Sequence, residues 1–192
     1  MSRPALLAAI FAVWPAMGDA LAEPRLQDVL SAATLSFGDD GELDRAVLTQ
    51  NGDAGADLTI FRAVPAPDGS AAALKPAVFK KAVVFSGQMW GTLPSLAVNG
   101  KGSLVIASAN DAVGRDRWTQ TLTVVLRGGA FVIAGITHTS RDTLDPEAGA
   151  SSCDLNLLTG KGTSDGKPVT ETLAPIPLPD WSDDKLPRAC RG

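Results

Sequence analysis

The sequence predicts a mainly β chain: a single antiparallel β domain, folded as a sandwich or as a curled, partly open barrel. A short N-terminal helix opens it and an extended Pro-rich C-terminal tail closes it. Three observations carry this reading. Short apolar runs rich in β-branched residues recur along the chain, glycine-containing turns divide them, and helical spacing of apolar residues stops after Leu35.

The first 22 residues read as an export signal. Ser2-Arg3 gives a basic start, Pro4 to Met17 is an apolar run, and Gly18-Asp19-Ala20-Leu21-Ala22 places small residues at the positions a signal peptidase requires. A spanning helix needs about 20 apolar residues, and this run is shorter and broken by Pro15. Cleavage after Ala22 takes 22 residues from 192 and leaves 170, from Glu23 to Gly192, the size of one ordinary domain. No Cys follows the apolar run to carry a lipid, and no later segment is apolar enough to span. The product is expected to be soluble, periplasmic or secreted.

Leu26, Val29, Leu30 and Ala33 recur at helical spacing, so a helix is expected within Arg25 to Leu35. Arg45 to Gln50 and Asp57 to Val64 read as strands joined across Asn51-Gly52, and Ala77 to Phe85 as a third. Leu96 to Val98 and Leu104 to Ala107 flank the turn Asn99-Gly100-Lys101-Gly102. The longest hairpin is Arg117 to Arg127, Gly128-Gly129, then Ala130 to His138. In its first arm Trp118, Leu122, Val124 and Leu126 share one face, while Thr119, Thr121 and Thr123 share the other with Arg117 and Arg127. Threonine is favoured on exposed strand faces without any ligand. Cys153 to Leu158 is a further strand, and Lys167 to Leu173 is expected to pair back on it. Pro175, Pro177, Pro179 and Pro187 give residues 174–192 an extended course with little ladder pairing.

Composition narrows the partners. The 17 Lys+Arg against 21 Asp+Glu give a net charge of -4, a mild acidic balance that argues against nucleic acid or an anionic membrane surface as the partner of the chain as a whole. Two cysteines in an exported chain, Cys153 and Cys190, are read as a disulfide that ties the tail to the domain. A redox pair needs closer spacing.

Candidate chemistry is sparse. Asp39-Asp40-Gly41-Glu42-Leu43-Asp44 is a carboxylate loop with a glycine turn, the type of segment in which oxygen ligands converge on Ca²⁺. Phe37 to Leu48 resembles the calcium loop of FG-GAP or VCBS-type repeats, with Asp40, Gly41 and Asp44 matching. Ser36 and Gly38 stand where that family places earlier ligands. The resemblance implies Ca²⁺ held by Asp40 and Asp44; the plainer reading is a solvated acidic turn. His138 is the only histidine, which excludes a multi-His metal site and leaves a hydrolase reading of His138 with Asp142 or Asp145. No Gly-x-Ser-x-Gly presents a nucleophile, and a strand-end His bonded to a loop is the plainer alternative. Arg115 and Arg117 beside Asp111 and Asp116 can clamp an anion or pair among themselves. Gly160-Lys161-Gly162-Thr163 lacks Walker spacing and is no phosphate loop. Trp90, Trp118 and Trp181 read as core or hairpin-covering rings.

Gly114-Arg-Asp-Arg-Trp118, Phe131-Val-Ile-Ala-Gly135 and Asn156-Leu-Leu-Thr-Gly-Lys161 together resemble exported bacterial proteins of uncharacterised function. That resemblance implies an exported β domain in a Gram-negative envelope and brings no activity with it. The expected function is a non-enzymatic binding or interaction module of the periplasm, with a protein or small-molecule partner in the cell envelope. Its surface is expected on the loops Ser108 to Arg117 and Thr139 to Ala150. The alternatives are the His138 hydrolase and a calcium-stabilised module; no other cofactor is expected.

Overall fold

The structure is a computed structural model. It describes residues 28–191 apart from 39, 53–54 and 88–89. The expected leader, 1–22, and the start of the expected helix, Arg25 to Gln27, lie outside the described residues.

The described residues are mainly β, in two antiparallel sheets that do not close. The smaller sheet has the order β1-β2-β3-β4, from Val29–Leu35, Asp44–Asn51, Gly55–Val64 and Ala73–Phe85. Val29 to Leu35 is thus a strand, not the expected helix. It pairs with β2 from Val29↔Thr49 to Leu35↔Asp44, with an irregularity between Val29 and Ser31. That bulge shifts the alternation by one residue, so Leu30, Ala33 and Leu35 all reach the core at a spacing that imitates a helix.

The larger sheet begins with β5 (Ser95–Val98), β6 (Leu104–Asn110), β7 (Asp116–Arg127) and β8 (Ala130–Asp142). It continues through β9 (Ala150–Asn156), β10 (Lys161–Ser164) and β11 (Lys167–Thr170), each strand pairing with the next. Gly128 and Gly129 have φ of 59° and 80°, the paired positive values that a two-residue hairpin turn demands. Lys167–Thr170 pairs with β10 and not, as expected, with β9. The inserted strand exists because of Gly162: a Cβ there would overlap the Asp154 carbonyl, so only glycine lets β10 lie against β9.

Ala46, Leu48, Leu58 and Ile60 of the small sheet face Leu104, Ile106, Leu122, Ile136 and Leu155 of the large one. The sheets meet along one side, where the Leu96 N–H donates to Ser31 Oγ at 2.9 Å. Across the molecule the outer strands β4 and β11 leave the layers unjoined. β4 guards its open edge with Pro76, Lys75, Lys80 and Lys81 and with two register shifts.

The tail spans that unjoined side. Instead of running extended throughout, it pairs at β12 (Ile176–Pro177) with Ile133 and Val132 of β8. It then folds into three 3₁₀ turns, Leu178–Asp180, Asp183–Lys185 and Arg188–Cys190. Its apolar side chains decide this course. Leu178 and Trp181 are 0% and 1% exposed, and the Trp181 indole Nε1–H donates to the Val83 carbonyl at 3.0 Å. Cys190 is disulfide-bonded to Cys153 of β9, with Cα atoms 5.1 Å apart.

Candidate functional site

Antiparallel register places residues from separate hairpins in rows across the large sheet. Ile106, Leu122, Ile136 and Leu155 form an apolar row on the concave face. One step toward the far end of the strands the row becomes Ser108, Gln120, His138, Cys153 and Ser164, and the next is Asn110, Trp118, Ser140 and Ser151. The concave face therefore changes from core to polar within two rows.

The tail lies over the first polar row. Gln120 Nε2 donates to Asp183 Oδ1 at 3.4 Å, and Ser164 Oγ donates to the Ala189 carbonyl at 2.9 Å. Two polar atoms of this row, Ser108 Oγ and His138 Nδ1, are buried without a hydrogen-bond partner among the described residues. Such atoms are uncommon in folded proteins, because leaving one unpaired costs about 1–3 kcal/mol.

Beyond the row opens a cleft of about 550 Å³, with Trp118, His138, Ser140, Ser151, Asp165 and Arg191 in its wall. The Trp118 ring stacks against the His138 imidazole, with centroids 6.1 Å apart and planes at 25°, and Phe85 meets it edge-on at 5.7 Å. Ser140 Oγ and Ser151 Oγ share a 2.7 Å hydrogen bond. Burial pushes the His138 pKa below its ordinary value, with the nearby Asp183 carboxylate opposing the shift. The imidazole is accordingly neutral at pH 7, with one nitrogen to donate and one to accept.

The residues of the hydrolase reading are not brought together. Asp142 lies four residues beyond His138 on the same strand, roughly 13 Å along it. Arg115 hydrogen-bonds to the Asp142 carboxylate and holds its pKa below the usual range, helped by the Leu144 N–H. The two serines beside His138 bond to each other. Asp145 follows in the loop after β8, at the same end as Asp142.

Asp40 and Asp44 converge on a guanidinium. Asp44, fully buried, accepts hydrogen bonds from Arg62 Nε at 2.9 Å, the Ala63 N–H at 2.9 Å and the Phe37 N–H at 3.0 Å. Asp40 Oδ2 lies 3.5 Å from Arg62 Nη2. A cation at this loop would have to displace a guanidinium already bound to both carboxylates, and Ca²⁺ wants six to eight oxygens that the described residues of the loop do not bring together. Among the described residues no group of three or more His, Cys, Asp or Glu is placed to hold a metal.

The two loops expected to carry a surface do meet. The Thr143 N–H donates to the Arg115 carbonyl at 3.0 Å, and Arg115 pairs with Asp142 across the gap, so both loops border the cleft. Of the tryptophans, Trp181 is core, Trp90 is 47% exposed and Trp118 is half-buried in the cleft wall. Gln120, Ser151 and Asp183 were not singled out from sequence. Only Gln120 left a signal there, as a polar residue at an inward position of β7 between Trp118 and Leu122. No protein family matches this chain, and no curated protein or solved structure matches it either.

Proposed function

We propose that this chain is an exported, non-enzymatic binding module of the cell envelope, which holds a small polar ligand in the cleft between β7–β9 and the C-terminal strap. One observation carries the reading: the unpartnered His138 Nδ1 beside a half-buried Trp118 at the mouth of the cleft. An imidazole nitrogen, two hydroxyls and an aromatic face suit a ligand with a ringed apolar side and hydrogen-bonding groups. The disulfide supports an oxidising compartment, and the basic-apolar-small pattern of residues 1–22 supports export.

The protein is incubated with the small-molecule fraction of a periplasmic extract, separated by gel filtration and weighed by native mass spectrometry. A defined added mass is expected on the natural chain and its loss in Trp118→Ala. No added mass, or the same mass in the variant, overturns the proposal. Fractionation of cells expressing the full chain tests export: a periplasmic product beginning at Glu23 is expected, and a cytoplasmic one of full length refutes it.

A further inference from the structure

On the opposite, convex face of β7 and β8, Arg117 and Arg141 stand directly across from each other in register. Like charges so placed repel, and proteins ordinarily separate them or put a carboxylate between them. Neither guanidinium forms an ion pair among the described residues. The carboxylates nearest in register, Asp116 and Asp142, alternate to the other face, and Asp142 pairs with Arg115. Asp111 lines the same hollow without pairing to either arginine, so the three side chains sum to one positive charge.

The hollow is equipped beyond its charge. It measures about 70 Å³ and is lined by Arg117, Arg141, Thr119, Thr139 and Asp111, together with Trp118, Ser140 and Ala150. Arg117 is held in place by donating Nη1 to the Val113 carbonyl at 3.1 Å and to the Gly114 carbonyl, and Nε and Nη2 have no hydrogen-bond partner among the described residues. One step along the strands Thr119 Oγ1 and Thr139 Oγ1 share a 2.7 Å hydrogen bond. In such a pair one hydroxyl donates to the other, and the second keeps its proton for a further acceptor. Two guanidinium groups and a hydroxyl proton lining one hollow match in chemistry the oxygens of a tetrahedral oxyanion.

We propose that this face binds a phosphate-type oxyanion, free or as the headgroup of an anionic lipid, between Arg117 and Arg141 with Thr119 and Thr139 completing the shell. The hollow borders the cleft and shares Trp118, Ser140, Arg141 and Ala150 with it, but its anion contacts are the arginines and threonines, and phosphate binding is tested without reference to the cleft's ligand.

The test uses the whole folded chain titrated with inorganic phosphate by calorimetry, with ionic strength held constant by chloride. Saturable binding is expected, weakened about tenfold or more in Arg141→Gln, the loss of one charge-assisted contact. Arg141 is exposed and its side chain makes no ion pair among the described residues, so this variant is expected to keep the natural melting temperature. Thr139→Val is expected to weaken binding severalfold. A parallel arm sediments the protein with phosphatidylglycerol vesicles against phosphatidylcholine vesicles. Arg141-dependent binding of phosphate alone supports a soluble ligand, and Arg141-dependent binding to the anionic vesicles supports a headgroup. No binding in either arm, or binding that Arg141→Gln leaves unchanged, overturns the proposal.

Discussion

Replacing Trp181 by Ala tests whether the tail is part of the core or merely rests on it. The indole is 1% exposed and sits on the side where the two sheets are not joined by strand pairing. Removing a buried tryptophan costs about 3–5 kcal/mol through lost burial and the cavity left behind. The Val83 carbonyl also loses its donor, although a nearby water can take that place once the plug is gone. For comparison, the Cys153–Cys190 bond closes a separation of 37 residues, which in the chain-entropy picture stabilises by about 4 kcal/mol. The two are therefore expected to matter equally. They act on the same segment, so removing both is expected to cost clearly less than the sum, since a strap already detached has little left to lose. Trp181→Phe keeps most of the apolar area but not the N–H and is expected to cost about 1–2 kcal/mol. Urea denaturation followed by far-UV circular dichroism measures each value. A loss below about 1 kcal/mol for Trp181→Ala, or strict additivity with the double Cys→Ser variant, refutes the reasoning.

Three further outcomes follow from the same geometry. Arg62→Met strands the buried Asp44 charge and is expected to destabilise by about 3 kcal/mol in the same assay, while millimolar Ca²⁺ leaves the melting temperature of the natural chain unmoved; a rise with Ca²⁺ would restore the calcium-loop reading. Burial lowers the His138 pKa, so the unfolded chain binds the proton more readily. Its contribution to stability is then level above pH 6.5, the ordinary histidine value, and declines as pH falls from there toward the folded pKa. His138→Gln is expected to remove that slope from a plot of unfolding free energy against pH, and an unchanged slope counts against it. Gly162→Ala drives a methyl into the Asp154 carbonyl and is expected to cost more than about 2 kcal/mol and to expose β10 amides to exchange, whereas Gly52→Ala, with open space around it, is expected to cost less.

The strands were legible wherever alternation and glycine turns coincided, as in the hairpin through Gly128-Gly129, whose inward Trp118, Leu122 and Val124 follow from period two alone. Val29 to Leu35 misled because a bulge shifts the phase of a strand and leaves an apolar spacing close to that of a helix turn. In the tail the prolines correctly announced little ladder pairing, but they say nothing about where Leu178 and Trp181 go; that depends on a gap between sheets that no local pattern encodes. The same limit applied to the cleft. Ser108, Gln120, His138, Cys153 and Ser164 belong to five strands, and only the registers between them make these residues a row. The disulfide was legible because two cysteines allow a single intramolecular pairing.

The strap resembles the clasp of a book more than a lace around it. The spine is the side where Ser31 meets Leu96, the covers are the two sheets, and the tail reaches from Ile133 on one cover to Val83 on the other. Any motion that parts the covers must withdraw Trp181, while Cys190 keeps the strap from leaving β9. Opening is thus a hinged breath with a tethered latch. Its signature in hydrogen exchange would be amides of β4, β12 and the turn at Leu178–Asp180 that become accessible together, at one rate.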